Sequence, residues 1–381
     1  MEGSDWEEGS GGFSLRAFLA MVLFCPKQEV KAMPFSTLEE QIFLVLGPWL
    51  GQKPDLDHFK SIFHTDSSNK ELLGYLTSHG LLGFYEDALK RNQIWNKISS
   101  SFQRQLEKGV CAQWTSNLQL ARLQDFVVKI LKEENVSFIL LKGLPLSERL
   151  YQNAMLRPSG DVDILLHPKD WRKGIDIFKM KGFKPHLFND SSFHITLCHQ
   201  NFPGNLEAHQ RLSDERFSIS VMDIFNRSKI KKISDQELLV MDPTDELLYL
   251  TYHHACHYLL YHWVWLFDVF QFVQVHHHLI DWRELAIRSK KYHLKNCLFP
   301  SLKYCHFYFG HCWSNSVKKE LDFLLEQNGE ELSFQIASHF LANLSKPFHS
   351  KVSRFRWARR IYGFFLTEGS IRKLRAFSQK V

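Results

Sequence analysis

The chain has 381 residues, of which 44% are hydrophobic and 23% charged, with a formal net charge of +6. That balance excludes an intrinsically disordered chain, and the length suits two or three globular domains at roughly 100–200 residues each. The mild positive charge is compatible with an anionic substrate or RNA and decides nothing alone, while 32 phenylalanines point to an aromatic-rich core.

From the N-terminus, residues 1–34 read as a poorly ordered extension. Their first twelve positions are acidic and Gly/Ser-rich, and the apolar run from Ala17 to Cys25 is too short for a bilayer span, which needs ~20 residues. A secretory signal wants a basic start, so the expectation is a cytoplasmic protein with no integral membrane association. The 7 cysteines form no CxxC pair, which fits free thiols in a reducing compartment.

Residues 35–132 read as an N-terminal helical region. Ser36 to Glu39 has capping-box form before the apolar run from Ile42 to Leu46. Asn69 to Arg91 is helical with an interruption near Gly80, and Trp114 to Glu134 reads as one long amphipathic helix.

The pattern changes over residues 133–240. Val136 to Leu141 has strand length and ends at Lys142-Gly143, and a helix follows from Pro145 to Tyr151. Arg157-Pro-Ser-Gly160 is turn chemistry, and Asp161 to Leu166 reads as a second strand. A helix from Pro168 to Gly182 and two strands, Phe193 to Cys198 and Gly204 to His209, complete a small α/β core. Residues 241–345 turn helical again, with helices expected at Pro243 to His257, Trp263 to His278, Trp282 to Lys291 and Leu298 to Phe309. Residues 346–381 form a basic, aromatic tail that reads either as a docked terminal helix or as a surface for anionic lipid or RNA.

The chemistry concentrates in the middle segment. Side chains alternate along a strand, so Asp161 and Asp163 project to one face and can hold hard divalent cations. Glu207 is the candidate third carboxylate, beside them if its strand pairs with theirs. Gly160 lets backbone approach a ligand closely. Lys142 and Gly143 precede a helix whose amides can bind phosphate; Lys142 reads either as a point charge for a triphosphate or as a lysine solvating the strand end. Arg157 reads either as a phosphate ligand or as the ion-pair partner of one of the aspartates, and Ser159 as a hydroxyl ligand or a turn former. His253, His254, His257 and His262 read as core or cap histidines rather than metal ligands, with Asp268 a cap or partner for a histidine.

The combined string LLKGLPLSERLY…LRPSGDVDILL resembles the uncharacterised bacterial nucleotidyltransferase-like family of the polymerase-β-type superfamily, on Leu141, Lys142, Gly143, Tyr151, Arg157, Pro158, Gly160, Asp161, Asp163 and Ile164. Lys181-Gly182-Phe183, Leu206 to His209, the Asp245 to His254 stretch and Leu266 to Asp268 extend the likeness over roughly residues 35–310. The resemblance implies an α+β fold, a small mixed sheet flanked by helices. It also implies transfer of a nucleoside monophosphate from an NTP, with Mg2+ or Mn2+, and release of pyrophosphate. Asp161, Asp163 and Glu207 would be catalytic metal ligands, and Lys142, Gly143, Arg157, Ser159 and Gly160 would bind nucleotide. The acceptor is expected to be a hydroxyl on a small molecule, peptide or protein rather than RNA. A catalytically silent nucleotide-binding module and a toxin-like, RNA-directed enzyme are the alternatives. The superfamily's usual Gly-Ser after the first strand is Lys-Gly here, which leaves the phosphate grip open.

Overall fold

The structure is a computed structural model that describes residues 42–43, 45–50, 66–186, 193–233, 235–256 and 262–326. Segment 1–34, the capping box at Ser36, His257 and the 346–381 tail lie outside the described residues.

Helices α1 (Asp66–Ser78) and α2 (Leu82–Arg91) flank the expected break at Gly80, which has φ +71°. Helix α3 (Ser100–Glu133) begins fourteen residues before the expected Trp114. Ser99 caps it, its hydroxyl accepting from the Phe102 amide at 3.2 Å, a contact worth ~1 kcal/mol. At 34 residues it runs about 50 Å at ~1.5 Å per residue, long enough to serve two cores. Phe102, Leu106 and Val110 pack among the helices, whereas Leu120, Leu123, Val127 and Leu131 pack beneath the sheet.

Strand β1 (Phe138–Leu140) is shorter than the expected 136–141. Asn135 takes a positive φ and the Val136 amide donates back to Leu131 O at 2.9 Å, so Val136 closes the helix instead of pairing in the sheet. Helix α4 (Leu144–Tyr151), strand β2 (Asp161–Leu166), helix α5 (Trp171–Met180) and the short β3 (Lys184–Pro185) follow, then β4 (His194–His199) and β5 (Phe202–His209). The five strands form one mixed sheet in the order β1-β2-β5-β4-β3. β2 and β5 run parallel, and β1 with β2, β4 with β5 and β3 with β4 run antiparallel.

Alternation divides the sheet's two faces. Val162, Ile164, Leu166, Leu206 and Ala208 face α3 and α5 in one core. Ile139 and Leu165 point the other way, into the helical core. Gly204, at φ +99°, brings β5 against α3 so closely that a Cβ would stand 2.5 Å from Leu120 Cδ2.

A further hairpin was not legible in the sequence. Helix α6 (Val221–Arg227) leads into β6 (Lys229–Ile233) and β7 (Gln236–Val240), paired antiparallel. In β6 only Ile233 is buried and Ile230 is exposed, so no inward alternation marks the strand. Helices α7 (Pro243–Cys256), α8 (Trp263–His276), α9 (Trp282–Lys291), α10 (Lys295–Phe309) and α11 (Asn315–Glu326) complete the helical body. No helix among the described residues is long and apolar enough to cross a membrane.

Candidate functional site

The polar face of β2 and β5 meets the helical body at a cavity of about 520 Å³. All eight residues singled out from the sequence line it: Lys142, Gly143, Arg157, Ser159, Gly160, Asp161, Asp163 and Glu207. Parallel pairing sets Asp163 opposite Glu207 and Asp161 opposite Asn205, which brings acids 44 residues apart in sequence to one row. Oxygens of Asp161, Asp163 and Glu207 lie within 4.8 Å of one another, a spacing that allows shared cation coordination.

Lys142 leaves the end of β1 and reaches both aspartates, its Nζ 2.5 Å from Asp163 Oδ2 and 3.4 Å from Asp161 Oδ1. It therefore does more than solvate a strand end. Burial alone would lower its pKa, but the Asp163 and Asp161 carboxylates outweigh burial and raise it. The two aspartates then separate in character. Burial acts to raise the Asp163 pKa, yet Lys142 and a hydrogen bond from His209 hold it well below the ordinary 3.8. Burial, with the repulsion of Asp163, pushes Asp161 up to about 7 against the pull of Lys142. The Asp161 side chain keeps 31% exposure, so it is the aspartate that solvent and ligand reach.

His209 is two residues beyond Glu207 on the same strand and shares its face. Its Nε2 donates to Asp163 Oδ1 at 3.0 Å, because an ionised carboxylate can only accept, and lies 3.6 Å from Glu207 Oε2. Burial lowers the His209 pKa, but the hydrogen bonds to Asp163 and Glu207 prevail and raise it. On β4, His194 stands opposite His209 with its Nε2 3.8 Å from Glu207 Oε1. Neither histidine was among the expected site residues. The signal that could have found them is the period-2 spacing from Glu207 to His209 and the hairpin pairing of β4 with β5.

Gly143 opens α4 at φ +79°, ψ −138°. A Cβ there would stand 3.2 Å from Ser159 Oγ in a backbone conformation strained for any L side chain, so glycine keeps this wall of the cavity open. A Cβ at Gly160 would meet nothing within 4 Å, so that residue faces open space. The Ser159 hydroxyl is buried and has no hydrogen-bond partner. The loop that carries it is pinned by Asn117 of α3, a buried residue the sequence did not single out. Asn117 Oδ1 accepts from the Ser159 amide at 3.1 Å and its Nδ2 donates to Arg157 O at 2.8 Å.

Two expected pairings are corrected. Arg157 does not bind Asp161 or Asp163: its Nε donates to Asp268 Oδ2 at 2.8 Å and Oδ1 at 3.0 Å. Among the described residues Asp268 accordingly pairs with Arg157 and with Tyr151, whose hydroxyl donates at 2.9 Å, and with no histidine. The reason is topological. Helix α8 runs beside α4 and places Asp268 in the core behind the loop, where only a paired charge is tolerated. His253 and His254 are buried as expected, His254 with Nδ1 2.9 Å from Ser301 Oγ. Phe193, Tyr249, Tyr252 and Trp265 add aromatic surface to the cavity wall, beside aliphatic Leu212 and Val264 and the histidines His253 and His262.

The profile of the family described as "Uncharacterised nucleotidyltransferase" matches residues 65–310. No curated protein matches the chain. Among solved structures, the lincosamide antibiotic adenylyltransferase LnuA in its lincomycin-bound form is 15% identical, over 39% of this chain and 94% of that one, with a TM-score of 0.28. An antigenic nucleotidyltransferase-like protein from Paracoccidioides brasiliensis is 14% identical, over 49% of this chain and 92% of that one, with a TM-score of 0.29.

Proposed function

We propose, because this chain belongs to the uncharacterised nucleotidyltransferase family, that it transfers a nucleoside monophosphate from an NTP to a hydroxyl on a small molecule, peptide or protein. The observation that carries this reading is the convergence of Asp161, Asp163 and Glu207 on one cavity wall, three carboxylates facing a single lysine. That imbalance of charge and the all-oxygen donor set suit a hard divalent cation such as Mg2+ or Mn2+. An ion held by these three side chains would neutralise phosphate charge and polarise the reacting oxygens.

The chain's own groups account for the rest. Lys142 offsets phosphate charge from beside the aspartates. The Gly143 backbone at the cavity wall is the phosphate donor at the start of α4. The unpartnered Ser159 hydroxyl gains a phosphate oxygen as its acceptor. Arg157, tied to Asp268, holds the loop and adds positive potential instead of gripping phosphate directly. Glu207 takes the proton of the acceptor hydroxyl. The acceptor oxygen then bonds to the α-phosphorus, the bond from that phosphorus to the bridging oxygen breaks, and pyrophosphate leaves with the electron pair. A volume near 520 Å³ lies in the range of small-molecule sites, roughly 300–1,000 Å³, and its aromatic wall favours a flat or apolar acceptor or the nucleobase.

The test uses each NTP labelled at the α- or γ-phosphorus, with Mg2+ and pooled metabolites, the protein itself or RNA as acceptors. The expected result is α-label in product and γ-label in pyrophosphate, both lost in Asp163→Asn. Transfer of γ-label, or α-transfer undiminished in that variant, refutes the reading.

A further inference from the structure

The sheet face carries more metal-ligating groups than the carboxylate trio uses. His194 and His209 are paired across β4 and β5, and both present Nε2 toward Glu207. One donor atom from each of His194, Glu207 and His209 falls within 4.8 Å of the others, and Glu207 belongs to this set and to the aspartate set alike. Two donors on one ion at ~2.1 Å stand about 3.0 Å apart at a right angle and about 3.4 Å apart at a tetrahedral angle. Within the trio, His209 Nε2 lies 3.6 Å from Glu207 Oε2 and His194 Nε2 lies 3.8 Å from Glu207 Oε1, a few tenths of an ångström wider than that. These separations already approach those of a coordination shell.

A structural ion pair does not explain the second nitrogens. The Nδ1 atoms of His194 and His209 are both buried without a hydrogen-bond partner. The Asp163 carboxylate alone fixes the tautomer that keeps the proton on His209 Nε2. A cation seated between His209 Nε2 and the carboxylates would take the place of that proton. Imidazole nitrogen favours first-row transition ions over magnesium, and two histidines with a glutamate are a known donor set for a catalytic transition-metal site with an open position.

We infer that His194, Glu207 and His209 form a second cation subsite, selective for a divalent transition-metal ion and sharing Glu207 with the Asp161–Asp163 subsite. The inference rests on the proposed reading only in taking Glu207 as a ligand.

The test titrates the metal-stripped full chain with Mn2+ alone and reads nitrogen hyperfine coupling by pulsed electron paramagnetic resonance. The wild type should bind Mn2+ with coupling from two directly bound imidazoles. His194→Gln should bind at least about tenfold more weakly and retain one coupled nitrogen. The double variant His194→Gln/His209→Gln should show none, and Asp161→Asn should keep both. If the double variant does not fold by circular dichroism, the drop from two nitrogens to one in the half-buried His194→Gln decides. Mn2+ bound without nitrogen coupling, no Mn2+ binding, or coupling indifferent to His194 overturns the subsite. Nucleotidyl transfer without nitrogen coupling refutes the subsite alone, and coupling without any transfer refutes the proposed reaction alone.

Discussion

Asp161→Asn should make the metal-stripped protein more stable while disabling it. The carboxyl sits at about 7 in the fold against an ordinary 3.8, so its ionised form is disfavoured by burial and by Asp163. At ~1.4 kcal/mol per pH unit that interval corresponds to ~4 kcal/mol. Because 31% of the side chain meets water, screening reduces the expected gain to ~1–2 kcal/mol. The sign follows from linkage. Below the unfolded value near 3.8 both states are protonated and the substitution changes little. Between there and about 7 the unfolded chain ionises first, so wild-type stability falls as pH rises, and above about 7 the full penalty is present. Denaturant unfolding of both proteins with chelator present, at pH 3.5, 5.5 and 8, is the assay. The gain should be absent at the lowest pH and greatest at the highest. In turn, Mg2+ should stabilise the wild type at pH 8 and leave the variant nearly unmoved. An asparagine variant no more stable at pH 8, or equally stabilised at every pH, would show that Asp161 is not held at an electrostatic cost.

Asp163→Asn should reduce transfer by at least about a thousandfold, ~4 kcal/mol of barrier, and should also destabilise the fold, because Lys142 loses its nearest counter-charge; single-turnover assays and denaturant melts check the two effects separately. Asp268→Asn leaves Arg157 buried without a carboxylate and should cost ~3–5 kcal/mol in chemical unfolding. Tyr151→Phe removes one hydrogen bond to the same buried carboxylate and should cost ~1.5–3 kcal/mol, with transfer little changed. Gly143→Ala forces a side chain into a positive-φ conformation next to Ser159 and should weaken NTP binding measured by calorimetry, with ~1–3 kcal/mol of backbone strain.

The site was legible where chemistry and local periodicity coincide. Asp161 to Leu166 forms the strand its alternation predicts, and Glu207 falls beside Asp163 because parallel pairing in register needs only that those two strands be neighbours. Partners supplied by distant elements were hidden. No local pattern ties Arg157 to Asp268, 111 residues away, or Asn117 to the loop at Ser159. The β6–β7 hairpin carries no sequence signal because its first strand is basic and almost wholly exposed, and the N-terminal half of α3 carries little because it packs on helices through sparse contacts at Phe102, Leu106 and Val110. His209 was readable in principle, since it shares the face of Glu207, but its role depends on an Asp163 contact that only the assembled sheet provides.

The most direct measurement is calorimetry of a non-hydrolysable α,β-methylene NTP analogue, with and without a divalent cation, on the wild type and on Asp163→Asn. Binding should require the cation in the wild type and vanish in the variant. Equal affinity without any cation, or undiminished affinity in the variant, would mean that the carboxylates of β2 and β5 do not hold the nucleotide through a metal.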